Sequence, residues 1–212
     1  MTMANTVGGV ADSKPSTAEA ARRARHVCPW WLGYFLILPL RRLFEDPLRA
    51  LAPVARPGMK ALDFGAGMGY FSLPLARLVA PNGRVVCVDV QEKMLSALRR
   101  RAERRGLLGQ IETVLCGSGT WPLETDAATF DLALACHVIH ETPDAVATFR
   151  ALAAALKPGG LLVFAEPAGH VSAAVFAEEL RAAEGVGLRR LEPVAGLRRA
   201  QSVVLQKPEV TA

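Results

Sequence analysis

The sequence predicts an α/β protein built on a doubly wound, mostly parallel sheet of seven strands with helices on both faces. From residue 60 onward, short apolar runs alternate with segments that carry the apolar period of amphipathic helices. The short runs are rich in Val, Leu and Ala almost throughout, which is typical of parallel strands buried on both faces. With 212 residues, 51% apolar and 21% charged, the chain is long enough to bury a sizeable core.

The first predicted strand, Lys60–Phe64, runs directly into a turn with glycines at positions 65, 67 and 69. Glycine lets a backbone turn tightly and approach a ligand where a Cβ atom would clash. A helix predicted over residues 68–79 would aim its free N–H groups at that turn. Because a tight strand-to-helix connection without a ligand has the same pattern, the turn alone does not decide a function.

Two acidic residues favour a ligand at this turn. The second predicted strand ends at Asp89, and 89 − 69 = 20 residues is the spacing at which an acid meets ribose hydroxyls. Each charge-assisted hydrogen bond from a hydroxyl is worth about 1.5–3 kcal/mol. Asp63 lies two residues before the first glycine, where it would repel a pyrophosphate but suit a ligand that carries a cation. The sequence therefore predicts a cationic nucleoside ligand, and disfavours an NAD-type oxidoreductase.

The remaining elements follow in alternation. Helix B is predicted to end at Gly106 in a left-handed cap, helix D to start at Thr142-Pro143, and helix E to be capped by Gly185. Further strands are predicted over residues 84–89, 111–116, 130–136, 161–166, 187–191 and 202–206, and further helices over residues 92–105, 142–156 and 172–184.

Three motifs in this order resemble the class I S-adenosylmethionine-dependent methyltransferases. They are the run 63–69, then Asp89, then Leu156-Lys157-Pro158-Gly159-Gly160 before a strand. Within that family the chain is most similar to the type 11 group, which includes the quinone-pathway C-methyltransferases. The resemblance spans roughly residues 45–207. It implies the Rossmann-like methyltransferase fold, an antiparallel last strand, S-adenosyl-L-methionine as cofactor, and an N-terminal helical lid over the active site.

The resemblance also assigns cofactor contacts. The glycine turn would lie against the amino-acid end of S-adenosylmethionine with Asp63 near its ammonium group, and Asp89 would take the ribose hydroxyls. The family's usual acid after the third strand is replaced here by Cys116-Gly117-Ser118, so Ser118 or a backbone group would contact the adenine amine. The full predicted cofactor set is Asp63, Gly65, Gly67, Gly69, Asp89, Val90, Met94, Gly117, Ser118 and Cys136, with Val90 and Met94 flanking the adenine.

Catalytic candidates follow the fourth and fifth strands. The cofactor's sulfonium supplies the electrophilic methyl group, so the protein must position a nucleophile and, where needed, remove its proton. His140 is the first candidate base because an imidazole titrates near neutrality. His170, Glu141 and Glu166 are further candidates. Each has an ordinary alternative: His140 would hold its loop by a backbone hydrogen bond, and Glu141 would favour the N-terminus of the next helix.

No metal is predicted, because the His and acidic residues lack ligand spacing. Cys28, Cys116 and Cys136 would suit trivalent arsenic, although their context does not match the arsenite methyltransferases closely. A non-enzymatic alternative is a cofactor-binding regulator or an inactive methyltransferase-like protein.

The chain divides into a disordered tail at 1–14, an N-terminal helical lid at 15–56 and an S-adenosylmethionine-binding methyltransferase domain at 57–212. The apolar run 30–40 is shorter than the roughly 20 residues that span a bilayer, and its leading segment is too long for a signal peptide, so a cytoplasmic protein is expected. Trp30, Trp31, Tyr34 and Phe35 predict a small, partly apolar acceptor under the lid. Plain packing, a dimer contact or membrane-surface contact beside Arg41 and Arg42 stay open. The basic cluster 99–105 indicates a solvated helix face, so no nucleic-acid partner is predicted. The sequence makes no prediction of the oligomeric state.

Overall fold

The computed structural model describes residues 30–32, 41, 43–117 and 127–209. The strands in these ranges are β1 Lys60–Phe64, β2 Arg84–Asp89, β3 Ile111–Leu115, β4 Phe130–Cys136, β5 Leu156–Pro167, β6 Arg189–Arg190 and β7 Ala200–Gln206. The α-helices are α1 Pro47–Leu51, α2 Ser72–Val79, α3 Glu92–Glu103, α4 Ala145–Ala155 and α5 Ala173–Gly185. Short 3-10 turns lie at Trp30–Leu32, Leu108–Gln110 and Ile139–Glu141.

The described strands form one seven-stranded sheet in the order β3-β2-β1-β4-β5-β7-β6. Strands β1 to β5 pair in parallel, whereas β7 runs antiparallel to both β5 and β6. The predicted fold class and the antiparallel last strand are therefore confirmed. The strand order reverses between β1 and β4, and in open α/β sheets a ligand lies beyond the carboxyl ends of the strands at such a point.

The core lies in two layers, one on each face of the sheet. On one face α2 and α3 bury residues such as Leu75 and Leu98 against alternate strand positions. On the other face α4 and α5 pack through Phe149 and Leu180. The Phe149 ring meets the edge of the Phe164 ring of β5 at 5.2 Å between centroids. Because both faces are covered, the central strands are held rigidly and their carboxyl ends present side chains at fixed positions.

Several boundaries differ from the predicted ones. Helix α2 begins at Ser72 rather than at residue 68, because Gly69 still has a φ of 80° within the turn. Helix α4 is capped by Asp144, whose carboxylate accepts the Ala147 N–H at 2.9 Å, and not by the Thr142-Pro143 pair. Strand β5 starts already at Leu156, which pairs with Phe130 of β4 before a register shift.

The two predicted glycine caps have different outcomes. Gly106 has a φ of 65°, so the predicted left-handed cap after α3 is confirmed. Gly185 was wrongly predicted as a cap: it is the last residue of α5, and Gly187 takes the left-handed conformation with a φ of 94°.

The N-terminal segment 43–51 is fastened to the loop 194–199. The Arg198 N–H donates to the Phe44 carbonyl and the Asp46 N–H donates to the Gly196 carbonyl, both at 2.9 Å. Between these bonds Glu45 pairs with Leu197 in an isolated antiparallel bridge. The predicted tail 1–14 and most of the predicted lid, including Tyr34 and Phe35, lie outside the described residues, so the domain boundaries stay predictions. Within the described ranges, no helix has the length and apolar character needed to cross a membrane.

Candidate functional site

The glycine turn after β1 needs glycine at all three predicted positions. Gly65, Gly67 and Gly69 have φ values of 76°, 52° and 80°, in the left-handed region that strains other residues. A Cβ atom on Gly65 would lie 2.4 Å from Cγ2 of Val138, and one on Gly69 would lie 2.9 Å from Cγ of Leu98. A Cβ atom on Gly67 would meet no described atom within 4 Å. Packing therefore requires glycine at 65 and 69, whereas Gly67 leaves room for a ligand to approach the backbone.

Asp89 joins the end of β2 to this turn. Its Oδ2 accepts the Gly67 N–H and its Oδ1 accepts the Gln91 N–H, each at 2.8 Å. Burial raises the pKa of Asp89, while the hydrogen bonds from Gln91 and Gly67 oppose that shift. The Val90 N–H also interacts with this carboxylate. Because an ionised carboxylate has about four acceptor positions, capacity remains for another donor such as a hydroxyl.

Asp63 lies in the interior at the end of β1. Only 3% of its surface is exposed, and Oγ of Ser72, the first residue of α2, donates to its Oδ2 at 2.5 Å. Burial and the nearby charge of Asp89 raise the pKa of Asp63 to about 6, although the Ser72 hydroxyl lowers it. The structure thus places the Asp63 carboxylate in the interior, where it links β1 to the first residue of α2.

The predicted adenine side is only partly described. Val90 follows Asp89 and is half exposed, while Met94 is buried and packs with Met68 and Ala97. The Cys116 N–H donates to the Asp89 carbonyl at 2.9 Å, which brings the end of β3 beside Asp89. Gly117 follows as an exposed residue. Ser118 lies outside the described residues.

The cysteines do not converge on one site. Cys116 follows β3 and Cys136 is the last residue of β4. These strands lie three places apart in the sheet, which separates the two cysteines by about 14 Å. Burial raises the pKa of the Cys136 thiol well above its usual value, and thiolate is the form that binds soft metals. Cys28 lies outside the described residues. These two thiols therefore do not form a shared arsenic site.

The loop after β4 connects the glycine turn to β5. Its first residue, His137, has a φ of 62°, which is uncommon outside glycine and is often found at functional sites. The His137 N–H donates to the Ala165 carbonyl of β5 at 2.7 Å. The next residue, Val138, packs on Gly65. The start of the loop is therefore fixed against both β5 and the glycine turn.

His140 and Glu166 form a pair at the carboxyl ends of β4 and β5. Nδ1 of His140 lies 2.6 Å from Oε2 of Glu166, and the His140 backbone N–H donates to Oε1 at 3.1 Å. Burial lowers the pKa of His140, but the carboxylates of Glu166, Glu141 and Glu179 outweigh it and the net pKa is raised. When Nδ1 carries the proton toward Glu166, Nε2 presents a lone pair.

The other two catalytic candidates surround this imidazole. The His170 ring meets the His140 ring edge-on at 5.1 Å between centroids. Oε1 of Glu141 lies 4.0 Å from Nε2 of His140. The structure therefore brings all four predicted residues together. Among the side chains that the structure describes, no three His, Cys, Asp or Glu residues form a metal-binding group.

A second ion-pair cluster was not predicted from the sequence. The Glu45 carboxylate lies between Arg41, whose Nε donates at 2.7 Å, and Nε2 of His137 at 3.2 Å. Burial raises the pKa of Glu45, but the effects of His137 and Arg41 outweigh burial and bring the pKa down to about 2. The Tyr70 hydroxyl donates to the Glu45 carbonyl at 2.6 Å. This cluster fastens the N-terminal segment above the glycine turn, and no local sequence pattern connects its members.

Comparison with known proteins identifies the family. Residues 61–160, which include the glycine turn, Asp89 and His140, match the family model described as a methyltransferase domain. Residues 61–160, just under half of the chain, therefore carry a methyltransferase domain. The finer assignment of this domain to the type 11 group stays a prediction.

Individual relatives agree with this family. The chain is 32% identical over 112 residues to a ubiquinone/menaquinone biosynthesis C-methyltransferase, UbiE, of Shewanella sp. (strain ANA-3), and the match covers 53% of this chain and 44% of that protein. Matches to the first curated relatives span less than half of each relative's length.

Two solved structures share the fold. A SAM-dependent methyltransferase from Aquifex aeolicus superposes with a TM-score of 0.75 at 21% identity, over 85% of this chain and 100% of that one. The [4+2]-cyclase SpnF superposes with a TM-score of 0.63 at 18% identity, over 77% of this chain and 81% of that one. At these identities the methyltransferase domain shares with them the fold alone.

Proposed function

We propose that this protein transfers the methyl group of S-adenosyl-L-methionine to a small, partly apolar acceptor by in-line displacement. The observation that carries the proposal is the junction of Gly67 and Asp89 at the point where the strand order reverses. That junction supplies both a close backbone approach and a carboxylate with acceptor positions to spare.

The residues present fit this cofactor. Asp89 would accept the two ribose hydroxyls, and the turn at Gly65 to Gly69 would lie against the amino-acid end. Asp63, whose pKa of about 6 reflects burial next to Asp89, gains a favourable interaction from a nearby ammonium group. A pyrophosphate would instead add negative charge beside two carboxylates, which supports S-adenosylmethionine over NAD.

When bound, S-adenosylmethionine supplies a methyl group made electrophilic by its sulfonium. The protein must then hold the acceptor in line and exclude water, and such positioning is worth effective molarities of about 10⁵–10⁸ M. The N-terminal segment is suited to exclude water, because Glu45, Arg41 and His137 fasten it to the end of β4. This contact supports the predicted lid.

His140 would act as the base. Nε2 would take a proton from the acceptor's nucleophilic atom, while Glu166 accepts the Nδ1 proton and stabilises the imidazolium that forms. The acceptor is then one whose reacting atom loses a proton, such as a hydroxyl or an acidic carbon. The UbiE relative is a C-methyltransferase, which supports the second of these. His170 and Glu141 would line the acceptor side of the imidazole.

The location and partners belong to the same proposal. A cytoplasmic location is supported by the three free cysteines of the described residues, two of which are buried. A small-molecule acceptor is supported by the enclosed position of His140, whose side chain is 14% exposed.

Isothermal titration with S-adenosylmethionine, S-adenosylhomocysteine and NAD tests the cofactor. We expect binding of the first two and none of NAD. Turnover is then tested as S-adenosylhomocysteine release on a panel of phenols, enols and amines. Cofactor binding without turnover on any acceptor would favour the regulator or inactive alternative. The turnover assay is needed because the fold alone does not imply methyl transfer: one protein with this fold is a [4+2]-cyclase.

A further inference from the structure

We propose that one surface beside the active site binds the face of an anionic lipid bilayer. The surface, here called the basic-apolar patch, consists of Leu43, Phe44, Leu48, Arg49, Arg198 and Arg199. Binding at this patch depends on exposed apolar and basic side chains, so it is independent of which acceptor is methylated.

The apolar half of the patch lies on the N-terminal segment. Leu43, Phe44 and Leu48 are 64%, 36% and 39% exposed, within six residues of one another. Helix α1 buries Pro47, Ala50 and Leu51, which leaves Leu48 on its solvent side. Three large apolar side chains are thus exposed within one short segment, and exposed apolar surface of this kind is typical of interaction sites.

The basic half surrounds these side chains. The Arg199 guanidinium lies 3.8 Å from the centre of the Phe44 ring, and Arg198 donates its backbone N–H to the Phe44 carbonyl. Arg49 adjoins Gly196 of the same loop. All three arginines are exposed, and in the part of the chain that the structure describes none has a carboxylate within salt-bridge distance.

The acidic residues of this segment do not neutralise the patch. Glu45 is buried and engaged with Arg41 and His137. The Asp46 carboxylate accepts the Leu48 and Arg49 N–H groups at the start of α1. The patch therefore presents exposed apolar groups within an excess of positive charge.

This chemistry suits an anionic membrane surface. A bilayer offers apolar chains for the leucines and phenylalanine and anionic headgroups for the arginines, and elements that lie in the interface have this composition. The apolar run 30–40, which includes two tryptophans, directly precedes Arg41 in the sequence. The patch also adjoins the segment after β5 that carries His170. The Ala168 N–H of that segment donates to the Arg199 carbonyl at 2.9 Å. A bilayer bound here would lie next to the mouth of the active site.

Sedimentation of the full chain with lipid vesicles tests the proposal. We expect the wild-type protein to sediment with vesicles that contain roughly one third phosphatidylglycerol, and much less with pure phosphatidylcholine. The double variant Arg198→Ala/Arg199→Ala should weaken binding to the anionic vesicles at least about tenfold. Leu43→Ser/Leu48→Ser should also weaken it, because both side chains are exposed and would enter the interface.

The matched control is Arg104→Ala/Arg105→Ala, which removes the same charge from the exposed end of α3. It should retain binding, and thermal melts should show that all three variants are folded. Equal sedimentation with neutral vesicles, no sedimentation at all, or an equal loss in the control variant would overturn the proposal. So would anionic binding that is unchanged in Leu43→Ser/Leu48→Ser, since that result indicates a general affinity for polyanions.

Discussion

Nδ1 of His140 lies 2.6 Å from Oε2 of Glu166, a carboxylate with no exposed surface. The other oxygen of the same carboxylate accepts the His140 backbone N–H. Glu166 thus fixes both the ring and the backbone of His140, and it links the loop after β4 to the end of β5. Such a pair holds an imidazole in one orientation with its second nitrogen available for proton transfer.

His140→Ala should lower turnover by at least about 100-fold, because positioned general bases contribute about 10²–10⁴-fold. S-adenosylhomocysteine affinity should change little, since His140 is not among the predicted cofactor contacts. Steady-state kinetics and isothermal titration measure the two effects separately. Unchanged turnover would show that His140 only supports its loop.

The pH dependence of kcat should report the same pair. Carboxylates outweigh the effect of burial and raise the pKa of His140 above its usual 6.5. A base acts in its neutral form, so kcat should increase with pH, with a midpoint above 6.5. Glu166→Gln should move that midpoint to lower pH, and Glu141→Gln should move it less because Glu141 lies 4.0 Å away. Equal shifts in the two variants would contradict the pairing.

The raised pKa of His140 should affect the folding stability and kcat in opposite directions as the pH rises. A histidine whose folded pKa is raised stabilises the protein fully below its unfolded pKa, and this contribution is lost as pH rises through the folded value.

The sequence predicted what depends on local pattern. The glycine turn, the left-handed cap at Gly106 and the parallel sheet follow from residue types within short windows, and Asp89 was found from its spacing to Gly69. The partnership of His140 with Glu166 was not predictable, although both were candidates, because it arises from the pairing of β4 with β5. The ion pair of Glu45 and His137 was also missed. It joins a segment before β1 to the residue directly after β4, and no local sequence pattern indicates that contact.

Two glycine substitutions should separate packing from cofactor binding. Both positions have positive φ, so alanine at either costs about 1–2 kcal/mol of stability. Gly65→Ala should cost more, because its methyl group would lie 2.4 Å from Val138. The methyl group of Gly67→Ala would meet no described atom within 4 Å, so this variant should lose no more stability than the backbone strain alone costs. It should instead weaken the affinity for the cofactor. Thermal melts and titration give both quantities, and normal cofactor affinity in Gly67→Ala would count against the turn as the binding site.

Asp63 should couple cofactor binding to protonation. Burial and Asp89 raise its pKa to about 6, and a cationic ligand nearby should lower it. Cofactor affinity should therefore increase as pH rises toward about 6, by at most about tenfold per pH unit. Asp63→Asn should abolish this dependence. Titrations with S-adenosylhomocysteine over that range would contradict the coupling if wild type and variant had the same slope.

The stability of the ligand-free protein should respond to the same group. The folded protein binds this proton more tightly than the unfolded chain between pH 3.8 and about 6, so Asp63 makes stability fall as pH rises through that window.

Asp89→Ala should weaken cofactor binding at least about tenfold, because it removes charge-assisted bonds to the ribose and frees the Gly67 N–H. Asp89→Asn is the matched control. Its amide oxygen still accepts one backbone N–H, so it should keep more of the melting temperature while losing the charge. Calorimetric titration of both variants measures the difference, and wild-type affinity in Asp89→Ala would refute the assignment of the pocket.

Whether S-adenosylmethionine is held between Gly67 and Asp89 is tested most directly by a crystal structure with S-adenosylhomocysteine bound. We expect both ribose hydroxyls within about 2.5–3.2 Å of the Asp89 carboxylate, with the amino-acid end against the turn at Gly65 and Gly67. A complex that places the nucleoside elsewhere, or a turn covered by the protein's own side chains, would contradict the methyltransferase function proposed for this chain.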